Sequence, residues 1–558
     1  MDFFNFIKKE STAFESTMLL IFALAGLFNF LIIVVIIATM TQVPNTSVKD
    51  LLIFIVAVFA FVKAQKYSLD NSTLIVEAVV TRTRIRLADK IRQTDLASYE
   101  HIGEGRLVRL LTQETMNISE ASKLISRLCS SATLLIVAFL YIAYQSLPAF
   151  FATIGLITLG VQIYRVRRGM IESELSAAAD KETQFFSTFN HLLDGFKELK
   201  ISESKSDDFF FNHLTSTANE TERLKVSSSF KLNKMIIFAQ IFCYNIMGIM
   251  IFIFPRLIEI APFTLIQIVS IILFVTTGPL QEVVGSFPFM ERANLAVRKI
   301  RDMETELEQA VAGETRLKRK PRQPKPFESL SCADLAFEYN HSQPESVFRI
   351  GPIDFELKRG EIVFFMGGNG AGKSTFLKVL TGLYMPTGGG IVCNGRKVTL
   401  QNISHYRSNF SIIFQDMHLF DRLYGVETID PAAVDEMLER MQLEDKTSIF
   451  PDGRFENINL SAGQKKRLAL IVAELDGRDI FVFDEWAADQ DPNFRRYFYE
   501  VYLKDLKNRG KTVIAVTHDD KYYNAADRIF KMEYGKISEL HPSTDAMRAS
   551  ASMPNRKD

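Results

Sequence analysis

Cysteine is scarce in this chain: four in 558 residues (Cys129, Cys243, Cys332 and Cys393), none of them in a CxxC pair. So dispersed a set excludes a disulfide framework and a cysteine-based zinc site, and reads as reduced thiols used in packing. An excess of charge of either sign is also missing. The 65 Lys and Arg balance 65 Asp and Glu, with pI near 7.1, which excludes the polybasic surface of a nucleic-acid binder. Tryptophan occurs once, at Trp486 in FDEWAADQDPNFRR, directly behind two carboxylates. What is abundant is apolar sequence, 47% of the chain, and it is concentrated in the first half.

The run 18–40, MLLIFALAGLFNFLIIVVIIATM, carries no charge and exceeds the ~20 residues a helix needs to cross a bilayer. It is too long for a signal-peptide core and is expected to be retained. The preceding MDFFNFIKKE has aromatic residues on one side and Lys8 and Lys9 on the other, as an interfacial elbow would. Five more apolar runs follow, at 48–64, 128–147, 149–164, 235–254 and 262–279, so six spans are predicted. Connections containing TRTRIRLADKIRQ, YRVRRGM and KELK are basic, whereas TQVPNTSVKD, QSLP and PRLIEIA hold few cations. The basic loops and both termini are therefore expected in the cytoplasm. Helical periodicity in RLVRLLTQETMNISEASKLI predicts membrane helices that extend beyond the bilayer. Asn29, Gln162, Gln240, Asn245, Gln267, Thr276 and Thr277 fall inside spans; such groups line a cavity or hydrogen-bond between helices.

A charged, proline-bearing stretch, RDMETELEQAVAGETRLKRKPRQPKPF, separates this half from alternating strand-like and helix-like segments. The predicted division is a six-helix, all-α transmembrane domain at 1–310, a linker at 311–326, a cytoplasmic α/β P-loop domain at 327–541, and a disordered polar tail at 542–558.

EIVFFMGGNGAGKSTFLKVL holds Gly367, Gly368, Asn369, Gly370, Ala371, Gly372, Lys373 and Ser374 in the G-x-x-x-x-G-K-[ST] pattern, followed by Thr375. An apolar strand precedes it and an amphipathic helix follows, the context this phosphate-binding motif requires. Backbone N–H groups and the helix N-terminus cradle phosphate, Lys373 is placed for the β- and γ-phosphates, and Ser374 for Mg²⁺. The run Ile480 to Phe483 reads as a second buried strand ending in Asp484, a metal ligand, and Glu485, a general base for water. Gln415 and His518 follow two further apolar strands, placed for metal or water and for the γ-phosphate; Tyr339 reads either as a platform for adenine or as an ordinary strand tyrosine. NLSAGQKKRLAL opens a helix with a polar turn suited to phosphate.

LSAGQ, with the P-loop, the Asp-Glu pair, Gln415 and His518 in that order, closely resembles the signature of ATP-binding cassette (ABC) proteins. The resemblance implies ATP and Mg²⁺ as ligands, and two cassettes that sandwich two ATP molecules. Leu460, Ser461, Ala462, Gly463 and Gln464 of one chain would then complete the site of the partner. Six spans ahead of one cassette resemble an exporter half-transporter that works as a homodimer. DEWAADQDPNFRRYFY, GPIDFELKRGE, LTGLYMP and THDDKYYNAADRI further resemble the bacterial cyclic-peptide exporters, a family that takes in exporters of pyoverdine precursor, syringomycin and microcin J25.

That resemblance implies ATP-driven outward movement of a peptide-like cargo across the bacterial cytoplasmic membrane, lipid as surroundings, and room for a periplasmic or outer-membrane component. A lipid flippase, a multidrug exporter, or a membrane-anchored ATPase driving a partner mechanically remain alternatives. The chain departs from the family pattern at Ala462, where glycine is usual, and at PDGRFENIN, where an acidic motif is usual. For Trp486 two readings stand: simple packing, or a part in the loop, continuing to Asp491, that passes signals between paired cassettes.

Overall fold

The structure, a computed structural model, describes residues 2–10, 16–40, 47–311, 326–339, 348–426 and 429–540. The expected linker, apart from Val311 and Pro326, and the expected tail lie outside the described residues. Two compact units are present: a helical one of Met1–Arg92 with Gly103–Leu307, and a second of Gln93–Ile102 with Glu308–Asp558.

The helical unit is built from long helices, Ser16–Met40, Val48–Gln93, Ser122–Gln145, Leu147–Asp194, Thr215–Gly248, Pro262–Thr277 and Pro279–Val311. At 46 residues, Val48–Gln93 is roughly 70 Å long, more than twice the ~30 Å of bilayer hydrocarbon. By length and composition, four helical stretches qualify as membrane spans among the described residues: Leu20–Thr39, Glu104–Gln145, Glu203–Leu257 and Pro262–Val283. The sequence predicted six. The two further runs lie at the starts of the two longest helices. Leu147–Ile163 is apolar but only 17 residues long, and 48–64 carries Lys49, Asp50 and Lys63, so neither stands out by hydropathy alone.

Spans meet through small residues and interlocking aliphatic ones. A Cβ on Gly26 would lie 2.5 Å from the Ser130 carbonyl oxygen and 2.8 Å from Thr133 Cβ, so the backbones of Ser16–Met40 and Ser122–Gln145 approach as only glycine permits. Phe30, Leu134, Ala138, Ile142, Ile246, Met250, Ile268 and Ile271 close the interior behind them. Charges hold the polar ends. Arg86 bridges Glu10 at 2.6 Å and Glu304 at 2.7 Å, and Lys299 pairs with the buried Glu114 at 2.7 Å. The N-terminal helix Asp2–Glu10 buries Phe3, Phe6 and Ile7, with the Phe3 N–H donating to Asn294 Oδ1, and leaves Lys8 and Lys9 exposed. Its aromatic side therefore packs on protein.

The second unit is α/β. Among the described residues the strands run in chain order as β1 Ser329–Glu338, β2 Arg349–Lys358, β3 Ile362–Met366, β4 Gly388–Cys393, β5 Arg396–Lys397, β6 Phe410–Ile413, β7 Ile480–Asp484, β8 Thr512–Val516, β9 Arg528–Glu533 and β10 Lys536–Leu540. A four-stranded antiparallel sheet has the order β2-β1-β4-β5, and a six-stranded sheet the order β10-β9-β3-β8-β7-β6, parallel except for β10. The central strands β3, β7 and β8 are buried at every position, which is why they read as unbroken apolar runs. Successive side chains enter opposite cores: Ile362, Phe364 and Met366 on one side, Val363 and Phe365 on the other.

Parallel pairing brings the C-terminal ends of β3, β6, β7 and β8 to one edge of the sheet, where ligands bind in open α/β sheets. One segment distant in sequence joins this unit. The helix Leu96–Ile102 offers Glu100 to Lys378 Nζ at 3.0 Å and to the Tyr384 hydroxyl.

Candidate functional site

The loop leaving β3 turns on glycines. Gly370 and Gly372 have φ of 76° and 104°, and a Cβ on Gly367 would sit 2.3 Å from the Met532 carbonyl oxygen. Side chains are thereby excluded where the chain must wrap closely and present N–H groups. The helix Lys373–Leu380 starts directly behind this loop. Lys373 is buried, its Nζ donating to the carbonyls of Gly367 at 2.9 Å and Gly368 at 3.1 Å. Thr375 Oγ1 lies 3.2 Å from the Tyr339 hydroxyl. Tyr339 in turn packs edge-on against Phe337 and Tyr384, so the predicted adenine platform stands beside the P-loop helix.

Strand β7 delivers the two carboxylates in different surroundings. Asp484 is buried next to the Ser374 side chain, and its Oδ1 has no hydrogen-bond partner. Burial pushes its carboxyl above the usual aspartate range, opposed by the neighbouring Ser374 hydroxyl and reinforced by the charge of Glu485. Glu485 has a left-handed backbone, φ 51°, a sparsely populated state for a residue with a side chain. This turn aims its carboxylate sideways: Oε1 lies 3.8 Å from Lys373 Nζ and 3.1 Å from His518 Nε2. His518 arrives from the end of β8, whose Val516 accepts the Glu485 N–H at 3.2 Å.

Lys373, Ser374, Asp484, Glu485 and His518 are thus brought together. Gln415 is placed less directly. It is exposed in the turn after β6, level with Glu485 by the register of Ile413 with Phe483. Among the described residues no hydrogen bond joins it to the carboxylates.

A buried carboxylate oxygen without a partner, beside a hydroxyl, is a donor set that suits a hard cation. Mg²⁺ takes one or two protein oxygens and completes its shell with water and phosphate. Among the described residues there is no cluster of three His, Cys, Asp or Glu that would hold a metal without a phosphate ligand.

The LSAGQ turn forms a reciprocal cap on the helix Ala462–Leu475. Ser461 Oγ accepts from the Gln464 N–H, and Gln464 Oε1 accepts from the Ser461 N–H at 3.0 Å. Leu460 is buried, while Ser461 and Ala462 are exposed. A Cβ on Gly463 would lie 2.6 Å from the Asp489 carbonyl oxygen, whereas Ala462 faces outward. This geometry explains why alanine stands at 462 and glycine at 463. Among the described residues no hydrogen bond joins this turn to the P-loop of its own chain.

Sequence reasoning missed the attachment of this helix to the segment after Glu485. Lys466 is buried beneath it, and Gln490 Nε2 donates to the Gly463 carbonyl at 3.0 Å. Arg467 reaches Gln490 Oε1 and Asp491, and lies 3.7 Å from the Phe494 ring centre. The available signal was the helical period: Lys466 shares a face with the buried Leu470 and Ala473, so a cation was marked for burial. Trp486 is itself buried, stacked on Phe498 at 4.4 Å between ring centres.

The ABC transporter family profile matches residues 350–488. The ATP-binding protein SyrD of Pseudomonas syringae pv. syringae is 33% identical over 491 residues, 84% of each chain. The energy-coupling factor transporter ATP-binding protein EcfA1 of Mycoplasma genitalium is 32% identical over 226 residues, covering 38% of this chain and 79% of its own. Among solved structures, a bacterial Atm1-family ABC exporter with ATP bound superposes with a TM-score of 0.71 over 96% of this chain and 95% of its own, at 17% identity, a likeness of fold.

Proposed function

This chain belongs to the ABC transporters as an ATP-hydrolysing half-transporter of the exporter type, and from that premise we propose that it drives a cyclic or modified peptide outward across the bacterial cytoplasmic membrane. Two copies pair, both termini face the cytoplasm, and the helical units alternate between inward- and outward-open states. The observation that carries the ATPase reading is the placing of Glu485 Oε1 within 3.1 Å of His518 and 3.8 Å of Lys373, beside the partnerless Oδ1 of Asp484.

In this reading the glycine loop from Gly367 to Gly372, with Asn369 and Ala371, wraps the phosphates. Lys373 gives up its bonds to the Gly367 and Gly368 carbonyls for the β- and γ-phosphates, and Thr375 helps order the loop. Tyr339 stacks on adenine. Ser374, Asp484 and Gln415 would hold Mg²⁺, which would supply neutralisation of phosphate charge. Glu485 accepts the proton of the attacking water at its carboxylate, and His518 orients that carboxylate and meets the γ-phosphate. Leu460 to Gln464 of the partner close the site, and the capped helix start offers them to phosphate. Cargo is moved because closure of the paired cassettes favours one state of the helical units, and cargo binds the two states unequally.

The peptide cargo rests on the likeness of the Trp486 segment and its flanking motifs to cyclic-peptide exporters. It is tested by ATPase activity of the full-length protein in liposomes, titrated with cyclic and linear peptides, siderophore precursors, lipids and apolar drugs. Saturable stimulation by one peptide class, absent in Glu485→Gln, is the expected result. Equal, weak stimulation by every apolar compound, or by lipid alone, would favour a flippase or multidrug exporter. Near-normal hydrolysis in Glu485→Gln would remove Glu485 from its role.

A further inference from the structure

Residues on the first turns of the helix Ala462–Leu475 and residues after β7 exchange bonds in both directions. The Lys466 ammonium donates to the Glu485 carbonyl at 3.1 Å and pairs with Asp489 at 2.7 Å. The Trp486 indole N–H donates back to the Lys466 carbonyl at 2.9 Å. Both side chains are buried, Lys466 4% and Trp486 1% exposed. A lysine is kept in such a place only where its charge is paired and its protons are accepted, and here one of the acceptors is the main chain of Glu485.

We infer that Lys466 and Trp486 are positioning residues that clasp the left-handed turn at Glu485 and make that carboxylate move as one piece with the LSAGQ turn. The inference rests on the proposed role of Glu485 as general base. The left-handed turn is what directs Oε1 toward Lys373 and His518, and a non-glycine residue stays in such a turn only while its surroundings over-determine it. Lys466 supplies that determination by capturing the Glu485 carbonyl. Trp486, stacked on Phe498 and hydrogen-bonded to the carbonyl of Lys466, fixes the next residue. Gln490 bonded to Gly463, and Arg467 bonded to Gln490 and Asp491, extend the same attachment along the loop. With the LSAGQ turn serving the partner's ATP, nucleotide held there would set the position of the base in this chain's own site.

The test uses the full-length protein in liposomes and three variants: Lys466→Met, which keeps volume and removes the cation, Trp486→Phe, which keeps an aromatic ring and removes the N–H, and the double variant. The expected result for Lys466→Met is a fall in kcat of about tenfold or more with KM for ATP within about threefold of the parent, because an interaction needed only for turnover is lost. Trp486→Phe falls in the same direction, by about threefold or more, again at constant KM. The double variant is no slower than Lys466→Met, since both bonds hold one turn and their effects are not additive.

Parental kcat in both single variants, a loss confined to KM, or a double loss equal to the product of the single ones would overturn the clasp. Should Lys466→Met fail to fold, Trp486→Phe decides alone by its kcat at constant KM. Failure of the underlying reading shows separately: if Glu485→Gln hydrolyses ATP normally the base assignment falls, whereas an inactive Glu485→Gln with unaffected clasp variants removes only the clasp.

Discussion

Adjacent residues of the LSAGQ turn respond to different constraints, and substitutions should separate them. Gly463 is held against the Asp489 carbonyl, with no room for a Cβ, while Ala462 is exposed at the start of its helix. Gly463→Ala is expected to push the loop after Glu485 away and lower ATPase turnover by about tenfold or more, and Ala462→Gly to leave it within about twofold, because Ala462 is exposed and the change costs the helix only about 1 kcal/mol. Initial rates of ATP hydrolysis by the two variants check both. The thiols give a second residue-scale prediction. Burial pushes the Cys332 thiol up to about 12 and the Cys393 thiol up to about 11. A raised thiol pKa means less thiolate at a given pH, so at pH 8 both thiols are held almost entirely protonated. Both should resist maleimide at pH 8 in the folded protein and label after unfolding, as peptide mass spectrometry would report.

At the scale of elements, what could be read from the sequence depended on how local its cause was. The strands ending at Met366 and Asp484 were legible because a strand buried on both faces admits only apolar residues. The P-loop was legible because close backbone approach admits only glycine. Span count was less so: the runs at 48–64 and 149–164 begin helices of 46 and 48 residues whose later turns are polar. At Lys466 the helical period marked a cation for burial but not its partners after β7, and the inclusion of Leu96–Ile102 in the α/β unit was not legible, since it joins segments far apart in sequence. Helix packing in the membrane unit can be tested at its tightest crossing. Gly26→Leu would drive a side chain into Ser130 and Thr133, and overpacking of this kind costs about 1–3 kcal/mol. A lower melting temperature in detergent is expected, with Leu27→Ala, at a 42% exposed position of the same helix, as the control.

At the scale of the whole molecule, the open issue is whether one chain holds a complete site. The LSAGQ turn and the P-loop of one chain share no hydrogen bond among the described residues, and the family pairs each P-loop with the other subunit's signature. Complementation decides the matter. Lys373→Ala disables the P-loop, and Ser461→Arg blocks the exposed LSAGQ turn; each homodimer alone then has two damaged sites. In a mixed dimer with sites shared across the interface, both lesions fall in one site and the other is intact. Co-expression should therefore restore ATPase activity, up to about a quarter of the parental rate, because about half of randomly assembled dimers are mixed and each keeps one working site. The clasp sharpens this expectation. If the base in each site is held by the signature helix of its own chain, the Ser461→Arg chain carries both the intact P-loop and the Glu485 that must act, so its LSAGQ turn, though blocked, has to keep Lys466 in place. Restoration well below a quarter, raised when the blocking residue is reduced to Ser461→Ala, would show that nucleotide at one signature turn is needed to set the base of the opposite site. Restoration at the full quarter with Ser461→Arg would confine the clasp to holding Glu485, without transmission between the sites. No restoration with either partner would place the LSAGQ turn and the P-loop of one chain in the same site.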